Sequence, residues 1–444
     1  MTAISIIGIV VAIAMLAFLG SKGWNLILIT LLAGALVALT AGTNPVTALS
    51  TSYLTSFGGA VTNFFLLMVV SAIFGSLMSG TGAAKSIAGA CMKIIDHAKP
   101  EKRRFWVVMT ITLISFILGY GGINNFVIMF ALVGINKEIC KKADCPWHLS
   151  MLNGYATGLL IQGFLPGSPS IQNLLAAKSL GTSPTAGAGL GLVCSAIGFV
   201  LWQIYVHYEL HRCKDEGFLP TGAEIDKAMT ASGDEEDVPH WLVALIPSIA
   251  MLVCLNVKFG RFQFSAVGAM LVGIALSLIL FWKRMGGLKE VLKLTTSGIE
   301  NGTLATMYLA ACMGFGAVVA ATSGYSAIMT AMSHLDGPIY WQWLIATAVS
   351  CGACGSGSGG LGISINNLSE SFIAQGANPE VLHRLGTMAC CTLDTLPQNS
   401  TVFNAIAVNK LEFRKAYRHI FVNCCLITTI CAVIGTILAS LGLV

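Results

Sequence analysis

Residues 394–401 read "DTLPQNST", inside a stretch, 384–408, that is otherwise apolar enough to lie in a bilayer. A carboxylate and a run of hydrogen-bonding side chains are expensive in hydrocarbon, and proline removes a helical hydrogen bond. A backbone interrupted at membrane depth persists only where it is buried in protein or lines a wet cavity. The stretch therefore predicts a helix that crosses once with an unwound centre. Residues 165–170, "LPGSPS", make a second such centre within 149–178.

The rest of the chain supplies the membrane setting. Its 444 residues are 55% hydrophobic and only 10% charged, against about 25% charged for an ordinary soluble protein. The net charge of +5 needs no nucleic acid to explain it. Runs long enough to span recur at 3–19, 25–41, 60–80, 186–206, 241–257, 263–282, 303–321 and 419–443. The first has no basic residue before it and no small-residue cleavage site after it, so it reads as an uncleaved span. Fourteen cysteines lie mostly in apolar segments, where cysteine acts as a small hydrophobe, and no disulfide framework is expected. The "CGAC" at 351–354 has no companion pair and reads as packing.

Two further stretches, 105–135 and 339–375, are too long for one crossing and too short for two. Each breaks at glycine, "GYGGINN" at 119–125 and "CGSGSGG" at 354–360, and predicts a re-entrant hairpin. Basic residues concentrate in 85–104, 137–142, 283–293 and 410–418. Placing these loops in the cytoplasm puts both chain termini outside and both ends of the first hairpin inside. The weakly charged connections 42–59 and 179–185 then fall outside.

The expected fold is an all-α polytopic membrane protein of two inverted-topology repeats, each of about five spans plus a re-entrant hairpin and a broken helix. The first repeat is 1–206, a polar cytoplasmic linker is 207–240, and the second repeat is 241–444. The repeats align without a gap between "FLPGSPSIQNLLAAKSL" (164–180) and "TLPQNSTVFNAIAVNKL" (395–411). Leu165, Pro166, Ile171, Asn173 and Leu180 then meet Leu396, Pro397, Val402, Asn404 and Leu411. "FGSLMSGTG" (74–82) likewise resembles "FGAVVAATSG" (315–324).

Helix ends gathered near the bilayer centre offer free N–H groups and a partial positive charge, which suit a carboxylate. The candidate substrate-binding residues are Gly121, Gly122, Asn124, Asn125, Gly167, Ser168, Ser170, Ser356, Ser358, Gly359, Gly360, Gln398, Asn399, Ser400 and Thr401. Asp394 is the candidate proton-coupling residue, because an intramembrane carboxylate is functional by default; the competing role is to accept backbone N–H bonds at the break. Its aligned counterpart is Gly163, so coupling would be asymmetric. Glu370, His383 and Arg384 read as interfacial. No nucleotide loop, zinc-protease motif or serine elbow is present, and neither an enzyme activity, a cofactor nor a metal is expected. A channel would need a continuous polar path, whereas the sequence has isolated polar clusters.

Three segments carry a family resemblance: "FGSLMSGTGAAKSIA" (74–88), "GSGSGGLGIS" (355–364) and "DTLPQNSTVFNAIAVNKLEFRKAY" (394–417). Through them the chain resembles the gluconate permease family of proton symporters for organic acids, within the wider ion transporter superfamily. The resemblance implies uptake of a sugar acid or short hydroxy acid with protons, by elevator-like alternating access. It also implies a homodimer in a bacterial inner membrane. The family pattern has His after the Leu-Pro, where this chain has Gln398, which leaves a short monocarboxylate open as substrate. A Na⁺-coupled carboxylate transporter of the same architecture is the alternative.

Overall fold

The computed structural model describes residues 2–99, 102–120, 125–218, 238–256, 264–333 and 337–444. Among these residues the secondary structure is helical throughout, with no strand. Seven helices are long and apolar enough to cross a membrane. The chain is an all-α polytopic membrane protein.

It opens with α1 (Thr2–Ser21) and α2 (Leu26–Thr40), which pack together. Next comes α3 (Pro45–Gly80), started by Asn44, whose side chain accepts the Val46 and Thr47 amides. The connection expected at 42–59 is therefore mostly helix. The span expected at 303–321 is likewise the end of α12 (Leu288–Ala320), a helix of 33 residues, or about 50 Å at 1.5 Å per residue. Hydropathy sees only the part of such a helix at membrane depth; the polar remainder continues because nothing in it breaks helical bonding. The two long helices touch backbone to backbone. A Cβ on Gly298 would stand 2.6 Å from Ile73 Cα, and one on Gly302 2.6 Å from Val69 Cα. Small residues allow this approach, which is how helices associate where no hydrophobic effect drives them together.

After α3 follow α4 (Ala83–Ile95), α5 (Arg103–Tyr120) and α6 (Asn125–Lys142). The last two form a hairpin closed at its base, where the Arg103 guanidinium donates to the Lys142 carbonyl at 3.2 Å. Each arm has 18 residues, and α5 alone is long enough to cross. A 3₁₀ turn, Trp147–Asn153, leads into α7 (Tyr155–Phe164), wound as a π-helix; the chain then breaks before α8 (Ile171–Leu180) and α9 (Ala188–Arg212).

Beyond residue 237 come α10 (Trp241–Asn256), α11 (Ala266–Phe281), α12 and α13 (Ser323–Ser333). The second hairpin is α14 (Ile339–Cys354) and α15 (residues 357–374), closed at its base by the Asn378 amide donating to the Tyr340 hydroxyl at 3.2 Å. The second broken crossing is α16 (Pro379–Leu393) and α17 (Ser400–Val408), followed by α18 (Phe413–Ser440).

The packing interleaves the two ends of the chain. Helices α1 and α2 lie against α13 and α12, while α10 and α11 lie against α4 and α3. The broken crossings also meet: α16 packs on α7 and α8.

Candidate substrate and coupling site

Each hairpin tip touches the break of its own half. In the first, the Tyr120 hydroxyl donates to the Pro166 carbonyl at 3.0 Å. In the second, the Asn399 side chain donates to the Gly355 carbonyl at 3.2 Å, and the Gln398 amide donates to the Gly352 carbonyl. Gly355 holds a left-handed φ of 62°, which glycine adopts without strain and which lets the chain reverse there.

The first break satisfies itself. Ser168 donates to the Ile161 carbonyl. Ser170 donates to the Gln162 carbonyl and caps α8 by accepting the Asn173 amide. The Asn173 side chain donates to the Ser168 and Pro184 carbonyls at 2.8 and 2.9 Å, and its oxygen meets His383 Nε2 at 2.8 Å. Gly167, at φ 76°, donates to the Pro184 carbonyl.

Arg384 completes this arrangement, and its position corrects the interfacial reading. It is fully buried and donates to the carbonyls of Ala186, Pro184, Leu165 and Gly163. His383 is also fully buried, its Nδ1 2.7 Å from the Thr182 hydroxyl. Both lie on the first turns of α16, which begins at Pro379 and runs inward, so a short distance along the chain is already depth within the protein. Glu370, by contrast, is exposed as expected.

The second break is left incomplete. Asp394 is 3% exposed, and its Oδ1 has no hydrogen-bond partner among the described residues. Its Oδ2 lies against the first turn of α15, 2.7 Å from where a Cβ on Gly357 would stand. A carboxylate there faces the positive end of that helix. Gln398 Oε1 is also unpartnered, as are both amide atoms of Asn404, which is fully buried. At Gly163, the position aligned with Asp394, there is no room for a side chain: a Cβ would stand 2.4 Å from the Thr387 carbonyl oxygen.

Several expected ligand groups act as helix caps. Ser356 accepts the Gly359 amide at the start of α15, and Asn399 accepts the Thr401 and Val402 amides at the start of α17. Gly360 serves hairpin packing, since a Cβ there would stand 2.4 Å from Cys351 Cα. Ser358 is half-buried and Gly359 exposed at the same tip. Gly121, Gly122 and Asn124, and the side chains of Asn125 and Ser400, lie outside the described residues.

Beside the second break is a cavity of about 100 Å³ between the first hairpin, α7 and α17. Thr395 and Thr401 line it from the break; Ser115, Asn136, Asn153 and Gln162 line it from the first half. Among the described residues its lining carries no formal charge. Asn153 donates to the Ser115 hydroxyl at 3.3 Å, whereas Asn136 Oδ1 is unpartnered among the described residues. Of the described candidates read from the sequence, only Thr401 lines this cavity. Asn136, Asn153 and Gln162 were missed because a single amide in an apolar helix has no periodic signal of its own.

A larger cavity, about 620 Å³, lies on the opposite face of α6 and α17, against α3 and α12. Ser76, Ser79, Glu300, Asn301 and Lys410 line it. Partial burial, and then the positive charge of Lys137, push the Lys410 ammonium down from its ordinary value.

No protein-family model matches the chain. It is 27% identical, over 459 aligned positions, to a protein of Bacillus subtilis (strain 168) described as the uncharacterized transporter YxjC, covering 93% of this chain and 94% of that one. Among solved structures it is similar to the Alcanivorax borkumensis YdaH transporter, with 12% identity, 88% of each chain covered and a TM-score of 0.35, a level that does not bear on the fold.

Proposed function

We propose that this chain is a secondary active transporter that takes up a small organic acid anion, a sugar acid or a short hydroxy or monocarboxylic acid, together with protons. The observation that carries the reading is Asp394: a buried carboxylate with one oxygen unpartnered among the described residues, set between a broken helix and a hairpin tip, its chain neighbour Thr395 lining a polar cavity. The similarity to a protein named a transporter supports the same class.

The mechanism follows from counting charge. Thr395, the next residue after Asp394, lines the cavity, so a bound carboxylate and an ionised Asp394 would share one low-dielectric region. Two like charges within one low-dielectric region oppose each other, so the anion binds with Asp394 protonated. The region then carries a single negative charge in both legs, on Asp394 when empty and on the substrate when loaded. Ionised, Asp394 holds the N-terminus of α15; protonated, it releases that tip for movement. The anion is held by amides and hydroxyls of the cavity, with Lys410, which lines the larger one beside Lys293, Glu290 and Glu300, contributing an attractive charge.

The wider architecture belongs to this proposal. The interleaved packing and the matched order of hairpin, broken helix and long helix support two inverted repeats over 1–206 and 241–444, with 207–240 as the linker. We read movement as elevator-like, the hairpins and broken helices against α3 and α12, in a homodimer in a bacterial inner membrane with both termini outside.

Unpartnered oxygens on Asp394 and Gln398 would also suit a cation, and Na⁺ coupling is the second reading. One panel separates them: uptake of labelled gluconate, 3-hydroxybutyrate, lactate and citrate into proteoliposomes under an inward proton gradient, with and without Na⁺. Concentrative uptake of one monocarboxylate, abolished by a protonophore and indifferent to Na⁺, is the expected result. A strict Na⁺ requirement would replace the proton with that cation. Failure of every acid would remove the substrate class.

A further inference from the structure

Away from the transport cavity, the end of α9 brings three metal-ligating groups together. His148 Nε2, Cys213 Sγ and the Glu216 carboxylate lie within 4.8 Å of one another. His148 and Cys213 are buried, while Glu216 is exposed and keeps one side of the cluster open. We propose that these residues form a binding site for a divalent transition metal, Zn²⁺ above all, with water as the fourth ligand.

The donor set selects the ion. Thiolate, imidazole and carboxylate together suit zinc or cobalt, whereas calcium and magnesium prefer oxygen alone. Donors on a tetrahedral zinc stand roughly 3.3–3.8 Å apart, given bonds of about 2.0–2.3 Å. His148 Nε2 and Glu216 Oε2 are already 3.2 Å apart, and Cys213 Sγ, within 4.8 Å of both, completes the set by a side-chain adjustment.

The surroundings hold the ligands in place. The Arg104 guanidinium donates to the Cys213 and Lys214 carbonyls at 3.0 and 3.1 Å. Asp144 accepts the Phe218 amide at 2.9 Å. These bonds fix both ends of the short segment that carries Cys213 and Glu216.

Hydrogen bonds behind His148 set the histidine tautomer. His148 Nδ1 is 2.9 Å from His419 Nε2, and His419 Nδ1 is 3.0 Å from the Tyr205 hydroxyl. Without metal, the Glu216 carboxylate accepts from His148 Nε2–H, His419 Nε2–H donates to His148 Nδ1, and the Tyr205 hydroxyl donates to His419 Nδ1. With metal on His148 Nε2, each ring carries its proton on Nδ1 instead, and the direction of the chain reverses. Both rings stay neutral, so the proton released is that of the Cys213 thiol. Because His419 belongs to α18, the ion would tie the end of α9 to the second half of the chain.

The test uses the full chain purified in detergent and titrated with Zn²⁺ and Co²⁺. One ion per chain is expected, with a thiolate-to-cobalt charge-transfer band. Cys213→Ser should remove the band, and Glu216→Gln should weaken binding while keeping it. His419→Gln should lower affinity by about 10–100-fold, the usual effect of losing the hydrogen-bond partner behind a metal ligand. Absence of stoichiometric binding to the unaltered chain would overturn the site. So would a band unchanged in Cys213→Ser, or an affinity undiminished in Glu216→Gln should the serine variant not fold.

Discussion

Asn173 and Asn404 occupy matching positions after the two Leu-Pro breaks, and they live in opposite conditions. Asn173 donates to two carbonyls and meets His383, while Asn404, equally buried, has no partner for either amide atom among the described residues. The contrast extends to the breaks as wholes. Arg384 closes the first by taking up its carbonyls. At the second, Asp394 and Gln398 each keep an oxygen unspent. A buried polar group without a partner is costly, and such groups in a native protein call for an explanation, be it an ordered water, a bound ion or a functional role. The comparison teaches that the first break is a finished structural joint, whereas the second keeps polar atoms unspent among the described residues, which is where the proposed function puts a proton and a substrate.

If so, mutations should divide by half. The largest loss of stability is expected from Arg384→Ala, about 3–5 kcal/mol, because the buried Ala186 and Leu165 carbonyls lose their donor and a large fully buried side chain is removed at once. Thermal unfolding in detergent measures it, and an unchanged transition would break the comparison at its firmer end. The asparagines give a paired test. Asn173→Leu should destabilise by about 2–3 kcal/mol, since it strands His383 Nε2 and the Ser168 carbonyl, while the Pro184 carbonyl keeps Gly167 and Arg384 as donors. Asn404→Leu should change stability by no more than about 0.5 kcal/mol in either direction while lowering transport, as expected where function holds an unfavourable group in place. Equal effects on stability would remove the distinction.

Gly357→Ala sharpens the account at the hairpin tip. Its methyl would stand 2.7 Å from Asp394 Oδ2, so the carboxylate must shift, at about 1–2 kcal/mol of stability and with impaired proton-driven uptake. The smallest effect is expected from Lys410→Gln, a rise of about 2–5-fold in KM for the anion that fades at high salt. The same attraction is present while Lys410 is charged and is lost as pH rises through its lowered pKa. A KM indifferent to both salt and pH would take Lys410 out of the entry path.

Much of this was legible in the sequence, for physical reasons. Apolar runs marked the helices because a bilayer tolerates little else, and glycine and proline marked the second hairpin tip and both breaks, while the first tip at 121–124 lies outside the described residues. Asp394 was conspicuous as a carboxylate at membrane depth. Arg384 and His383 were misplaced because a charged residue near the start of an apolar stretch looks interfacial when the helix direction is unknown. The folded chain turns α16 inward onto the first break and buries them. Asn136, Asn153 and Gln162 were invisible for a different reason. They are distant in sequence from the break they face, and only the packing of the first hairpin and α7 around α17 makes a cavity of them. The length of α12 was hidden because its polar part has no hydropathy signal.

The most direct test of the central claim is Asp394→Asn in proteoliposomes, with concentrative uptake under a proton gradient and equilibrium exchange measured side by side on the acid the panel identifies. The account predicts that gradient-driven accumulation falls to the level of empty vesicles while exchange persists, because the permanently neutral side chain resembles the loaded state and can no longer take up a proton. Accumulation by the mutant equal to that of the unaltered protein would contradict it.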